Sequence, residues 1–138
     1  MFEHTATGGR ELRNDLVVIR GDLLLDRPWP AASYVNSAVW PDSSGYGKWG
    51  QNKIVAVRQP AAIGEVTIRG IRIDAPGEIR FAGGHGTTGE MVIAAGEESN
   101  VTGMLVPASG CYRLTITAGT LRDSLTFDTV LKPADGQR

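Results

Sequence analysis

The sequence predicts an all-β fold, a single antiparallel β-sandwich of about seven to nine short strands. Three observations carry that expectation. Eighteen glycines and seven prolines are scattered between short apolar runs, which multiplies turns. The apolar runs recur at roughly ten-residue spacing, and several of them alternate with period two. No stretch shows the apolar period of an amphipathic helix. With 138 residues the chain is one domain's worth, enough to bury roughly two-thirds of its unfolded surface around one core.

Residues 1–12, rich in Thr, Gly and charge, are expected as a flexible tail, with the sandwich over 13–131 and a second tail over 132–138. "LVVIRGDLLL" (16–25) reads as a short buried strand interrupted at Gly21. Over 26–52 the pattern fails, because Pro28, Pro30 and Pro41 break any ladder. That is long for a connection inside a compact domain, and long loops of this kind are often functional. One short strand is expected within it, near "SYVNSAVW". "KIVAVR" (53–58) is apolar at four consecutive positions, as a strand covered on both faces would be. "EVTIRGIRI" (65–73) changes phase: Val66 and Ile68 share one face, Ile71 and Ile73 the other. A bulge or bend at Gly70 would account for the slip. "EIRF", "EMVIA" and "TGMLV" are further short strands. "CYRLTIT" sets Tyr112, Leu114 and Ile116 against Arg113, Thr115 and Thr117, and Ala118-Gly119-Thr120 turns the chain. "LRDSLTFDTVL" then returns with Leu125, Phe127 and Leu131 on one side.

Ser109-Gly110-Cys111-Tyr112 refines the fold class to an immunoglobulin-like sandwich. In such sandwiches a tyrosine near the start of a late strand bonds back to the backbone at the corner. Leu114 stands where antibody domains carry a cysteine. Cys111, the one cysteine, alternates to the face opposite Tyr112. A reactive thiol needs a base or a positive neighbour to lower its pKa, and no histidine is near in sequence. Cys111 is therefore read as structural.

"WGQNKIVAV" (49–57), "VTIRGIRIDAPG" (66–77), "VPASGCYRLTIT" (106–117) and "LTFDTVL" (125–131) occur in that order. Together they resemble a family of small bacterial secreted or lipoprotein β-sandwich domains. There a Trp-Gly-x-Asn-Lys strand, an Ile-x-Gly-x-x-Leu-Asp strand and a Pro-x-x-Gly-Cys-aromatic strand recur. Tyr112 stands here for the family's Trp, and Ile73 for its Leu. The resemblance implies an extracytoplasmic location (secreted, periplasmic or cell-surface), and it implies no reaction.

Fourteen basic and fifteen acidic residues are interspersed without a run of like sign. A nucleic-acid binder would show a basic patch or stripe, so that class is disfavoured. No stretch approaches the roughly 20 apolar residues of a membrane span. Met1-Phe2-Glu3-His4 lacks the basic and apolar regions of a signal peptide, so the chain is cytoplasmic or a domain whose leader or lipid anchor was removed. One cysteine forms no internal disulfide and rules out a zinc site of paired cysteines. "GGHGTTGE" (83–90) and "SGYGKWG" (44–50) lack the Gly-Lys-Ser/Thr ending of a phosphate loop and read as hairpin loops. His85 has no visible second ligand, and His4 lies in the tail. Asp22, Asp26, Asp42, Asp74 and Glu78 fit no glycosidase spacing, and no Gly-x-Ser-x-Gly elbow occurs. Asp42-Ser43-Ser44-Gly45 is a turn signal. Arg20-Gly21-Asp22 spells the integrin tripeptide between two apolar runs, where burial is expected. Asn100-Val101-Thr102 would accept a glycan only in a eukaryotic secretory host.

The informative feature is aromatic. Trp29, Tyr34, Trp40, Tyr46 and Trp49 all fall within 26–52, and only Tyr112 among Trp and Tyr lies outside. Such rings cap a sandwich core, anchor a protein interface or stack on sugars. The expected function is non-catalytic: an extracytoplasmic binding or assembly domain. Its loop would hold a protein partner or a second copy, with rim contacts from Arg27, Asn36, Lys48 and Gln51. The alternative is a carbohydrate- or small-ligand-binding module using the same rings. An enzyme built around His85 ranks last. No metal, no other cofactor and no nucleic acid are expected.

Overall fold

A computed structural model describes residues 6–7, 11–21, 29, 49–82 and 86–131. Eleven strands lie among them: β1 (Ala6–Thr7), β2 (Glu11–Arg13), β3 (Val17–Gly21), β4 (Gly50–Arg58), β5 (Val66–Arg72), β6 (Arg80–Ala82), β7 (Thr87–Thr88), β8 (Glu90–Ile93), β9 (Ser99–Val106), β10 (Gly110–Ala118) and β11 (Leu121–Thr129). They form two antiparallel sheets. One runs β1-β2-β3-β4-β9-β6-β7, the other β11-β10-β5-β8. The fold is an all-β sandwich. Its central orders, β3-β4-β9-β6 and β11-β10-β5-β8, follow the immunoglobulin scheme with one exchange. The strand flanking β5 follows, rather than precedes, the strand flanking β9.

Alternation builds the core. From the larger sheet Val17, Ile19, Ile54, Ala56, Phe81 and Met104 point inward; Val66, Ile68, Met91, Ile93, Leu114, Ile116, Leu125 and Phe127 meet them from the smaller one. The inner and outer positions expected for "CYRLTIT" hold, since Tyr112, Leu114 and Ile116 are buried and Arg113 is exposed. β10 and β11 pair without a break from Gly110↔Thr129 to Ala118↔Leu121. The two-residue loop that joins them has Gly119 at φ 63°, a left-handed conformation that glycine adopts without steric cost.

Four expectations change. The tail over 1–12 carries paired strand at β1 and β2, and Leu12 is buried against Ile19's strand. A single leucine in a polar run gives no periodicity, which is why the pattern missed it. Gly70 makes no bulge, because β5 keeps one register with β10 from Val66↔Ala118 to Arg72↔Tyr112. The glycine instead admits Ile79: a Cβ there would stand 2.4 Å from Ile79 Cδ1 and 2.9 Å from its Cβ. Ile71 simply faces solvent, 52% exposed. In β4, Ile54 and Ala56 are buried while Val55 and Val57 are half-buried, so its two faces are unequal. Finally, the loop expected over 26–52 ends early, because Gly50–Asn52 are buried within β4. The strand expected near "SYVNSAVW", the end of the run 16–25 and the tail 132–138 lie outside the described residues.

Candidate functional site

Trp29 decides how the aromatic segment is held. It is fully buried, with its indole 6.2 Å from the Phe127 ring at an interplanar angle of 16°. Phe127 stacks in turn on Tyr112, with centroids 5.9 Å apart. The backbone N–H of Trp29 donates to the Val130 carbonyl at 2.7 Å, and Trp29 bridges Leu131 in parallel. This three-ring column closes one end of the sandwich. Trp29 therefore offers no face to a partner or a sugar, which corrects its assignment as a contact residue. Beside it lies a cavity of about 10 Å³ lined by Leu12, Ile19, Gly21, Trp29, Ile54, Met104 and Phe127. A space of that size holds a water at most.

Gly50 meets Trp29 from the other end of the segment. A Cβ on Gly50 would stand 2.2 Å from Leu131 Cδ2 and 3.2 Å from Trp29 Cβ. Trp29 and Gly50, the residues that bracket 30–49, thus lie side by side. Trp49 is half-buried. Tyr34, Trp40, Tyr46, Arg27, Asn36 and Lys48 lie outside the described residues, as do His4 and His85. Gln51, expected as a rim contact, is buried within β4 opposite Leu105.

The Tyr112 corner forms as its spacing predicts. Its hydroxyl donates to the Ala108 carbonyl at 2.7 Å and accepts the Ala108 N–H at 3.3 Å. Burial raises its pKa above the usual phenol value. One residue back, the pleat turns Cys111 to the outer face, half-buried. Its thiol donates to Asp128 Oδ1 at 2.6 Å. Desolvation first, then the Asp128 carboxylate, push the thiol up to about 12. It is a proton donor fixed in place, the opposite of a thiolate nucleophile.

Arg72 ties the same corner. Its Nε donates to Asp74 Oδ1 at 2.7 Å and its Nη2 to the Ser109 carbonyl at 2.8 Å. The Arg72 bond, assisted by the Cys111 N–H at 3.3 Å, holds the Asp74 carboxyl below its ordinary range. A Cβ at Gly110 would lie 2.6 Å from Arg72 Nε, so a side chain there would push the guanidinium aside. Ser109 Oγ accepts the Leu131 N–H at 2.9 Å, joining this corner to the Trp29 end. The Pro107-to-Tyr112 motif is thus a structural knot. Asp74, noted in sequence as an unplaced carboxylate, finds its role only when β5 pairs with β10.

Other candidates settle quickly. Arg20 and Gly21 end β3, and Arg20 bonds Glu11 at 3.3 Å, so the integrin-like tripeptide starts inside a sheet. Asn100 spends its amide on the Val92 carbonyl at 2.7 Å. What sequence reading missed is the outer face of the smaller sheet. There Arg69, Ile71, Thr115, Thr117 and Arg122 line a shallow hollow of about 360 Å³. Alternation marked the outward positions except Ile71, and only the strand pairing shows that they converge.

No protein-family model matches the chain, and no curated protein does. A solved structure from Bacillus anthracis, described as a "Putative Lipoprotein", aligns at a TM-score of 0.48 and 15% sequence identity. The alignment covers 85% of this chain and 74% of that one.

Proposed function

We propose that this protein is a non-catalytic extracytoplasmic binding or assembly domain, which holds a protein partner through the aromatic segment between Trp29 and Gly50. The observation that carries the reading is the contact between those two residues. A segment whose ends meet on a rigid frame reaches a partner as one loop, and Tyr34, Trp40, Tyr46 and Trp49 are its anchors. Large rings with few rotatable bonds lose little entropy on docking, which is why Trp and Tyr dominate interface energetics. Trp29, which sequence alone would have spent on contact, is the peg that holds the loop. The extracytoplasmic part of the reading is supported by the motif resemblance over Trp49 to Leu131. The non-catalytic part is supported by the one thiol being held as a protonated donor.

A photo-crosslinking side chain placed at position 40 tests this in the cells that make the protein. The expected result is a discrete protein adduct, either a partner or a second copy. The same group at Glu65, exposed at the opposite end of the smaller sheet, should give none. No adduct at position 40, or equal adducts at both positions, would overturn the reading.

A further inference from the structure

We infer that the outer face of the smaller sheet is a second binding site, one for an acidic polysaccharide. The inference concerns a different surface from the aromatic loop and stands without it. In β5, Arg69 pairs with Thr115 of β10, and Thr115 pairs with Ser124 of β11. In the next outward row Thr67, Thr117 and Arg122 align in the same way. Arg69 and Arg122 therefore stand diagonally across β10, with their Cα positions about 12 Å apart by sheet geometry. Two arginine side chains at that separation can close over one oxyanion group resting on Thr115 and Thr117.

The donors are available. Arg122 is exposed, and it has no ion-pair partner among the described residues; nor has Arg113, exposed on the following row beside Ile71. The half-buried Thr115 and Thr117 make no side-chain hydrogen bond among the described residues. Arg69 is held by Glu90, whose Oε1 accepts from Nη2 at 2.8 Å and Nε at 3.0 Å. That contact fixes the guanidinium and leaves its remaining N–H groups free, with the side chain 71% exposed. Among the described residues the other carboxylate of this face, Asp128, is engaged by the Cys111 thiol at the far end. Guanidinium forks suit carboxylate, sulfate and phosphate oxygens. The hydroxyl floor and the exposed Ile71 add what a sugar ring presents: hydroxyls to bond and a C–H face to cover. A sheet face on which Arg122, Arg69 and Arg113 stand in three successive rows fits a chain of repeating acidic sugars better than one small anion.

Binding of heparin (sulfated) and of polygalacturonate (carboxylated) at low ionic strength tests the site, with poly-L-glutamate as the peptide control. At least one polysaccharide should bind in a salt-dependent way, and which one identifies the oxyanion. Arg69→Gln with Arg122→Gln should weaken that binding about tenfold or more, as expected for lost charge-assisted hydrogen bonds. Thr115→Val with Thr117→Val keeps the β-branched shape and the charge, and should weaken it while leaving the salt dependence unchanged. Arg13→Gln with Arg20→Gln, on the other sheet, should change nothing. Absence of binding to both polysaccharides overturns the site. So does equal loss in the Arg13/Arg20 variant, an unaffected Thr variant, or poly-L-glutamate bound as tightly as the sugars.

Discussion

At Tyr112 and Cys111 the pleat sends neighbouring side chains to opposite faces, and the two meet opposite fates. Tyr112→Phe keeps the ring in its stack but removes the Ala108 bonds, so it should cost about 1–2 kcal/mol in urea unfolding, with an unchanged slope. Cys111 gives a pH signature. Its folded pKa is raised from 9.0 to about 12, so the contribution it makes is complete below pH 9.0 and fades between there and about 12. Asp74 has the opposite sign. Its folded pKa is depressed from 3.8, so its contribution is present above that value and is lost as the pH falls below it. Asp74 should therefore add an acid decline below about pH 4, and Cys111 an alkaline decline above about pH 9. Cys111→Ala should move the alkaline decline up toward the range where Tyr112, raised above 10.0, begins to titrate. Both residues were legible in sequence because alternation and the Gly-Cys-Tyr spacing are local signals. The ties from Arg72 to Ser109 and from Cys111 to Asp74 were not legible, since they join strands that lie far apart in the chain.

Among the elements, β5 shows where pattern reading goes astray. Its apparent change of phase at Gly70 came from counting Ile71 as a core residue. Ile71 instead stands exposed at the hollow, and the strand runs straight. Gly70 matters for a close approach, because Ile79 occupies the space a side chain would need. Gly70→Ala should thus destabilise by about 1–3 kcal/mol, the range for an overpacked core, as read by chemical denaturation. β10 was predicted well because its outward residues all keep some exposure, so period two maps directly onto burial; in β11 the inward Leu125 and Phe127 were read, although Thr126 between them is buried too. β2 carries a single buried leucine and was invisible for the converse reason. The hollow between Arg69 and Arg122 belongs to this scale too: alternation marked Arg69, Thr115, Thr117 and Arg122 as outward, but it misread Ile71 and could not show their convergence.

For the whole molecule, the sandwich is a frame whose end is closed by the Trp29–Phe127–Tyr112 column. Trp29→Ala should remove about 3–5 kcal/mol by opening a core cavity, whereas Trp40→Ala, in the segment proposed to bind, should leave stability within about 0.5 kcal/mol. Composition showed that the aromatic rings cluster in one segment. It could not show that Trp29 is a core ring, because its burial depends on the pairing with Leu131 and the close approach of Gly50. The most direct test compares acrylamide quenching in two folded, monomeric variants, each retaining one tryptophan, with the other two replaced by Phe. The variant that keeps Trp29 should resist quenching. The variant that keeps Trp40 should quench readily as a monomer and become shielded when a partner or a second copy binds. A Trp40 as shielded as Trp29 in the lone monomer would contradict the account, because the loop would then belong to the core.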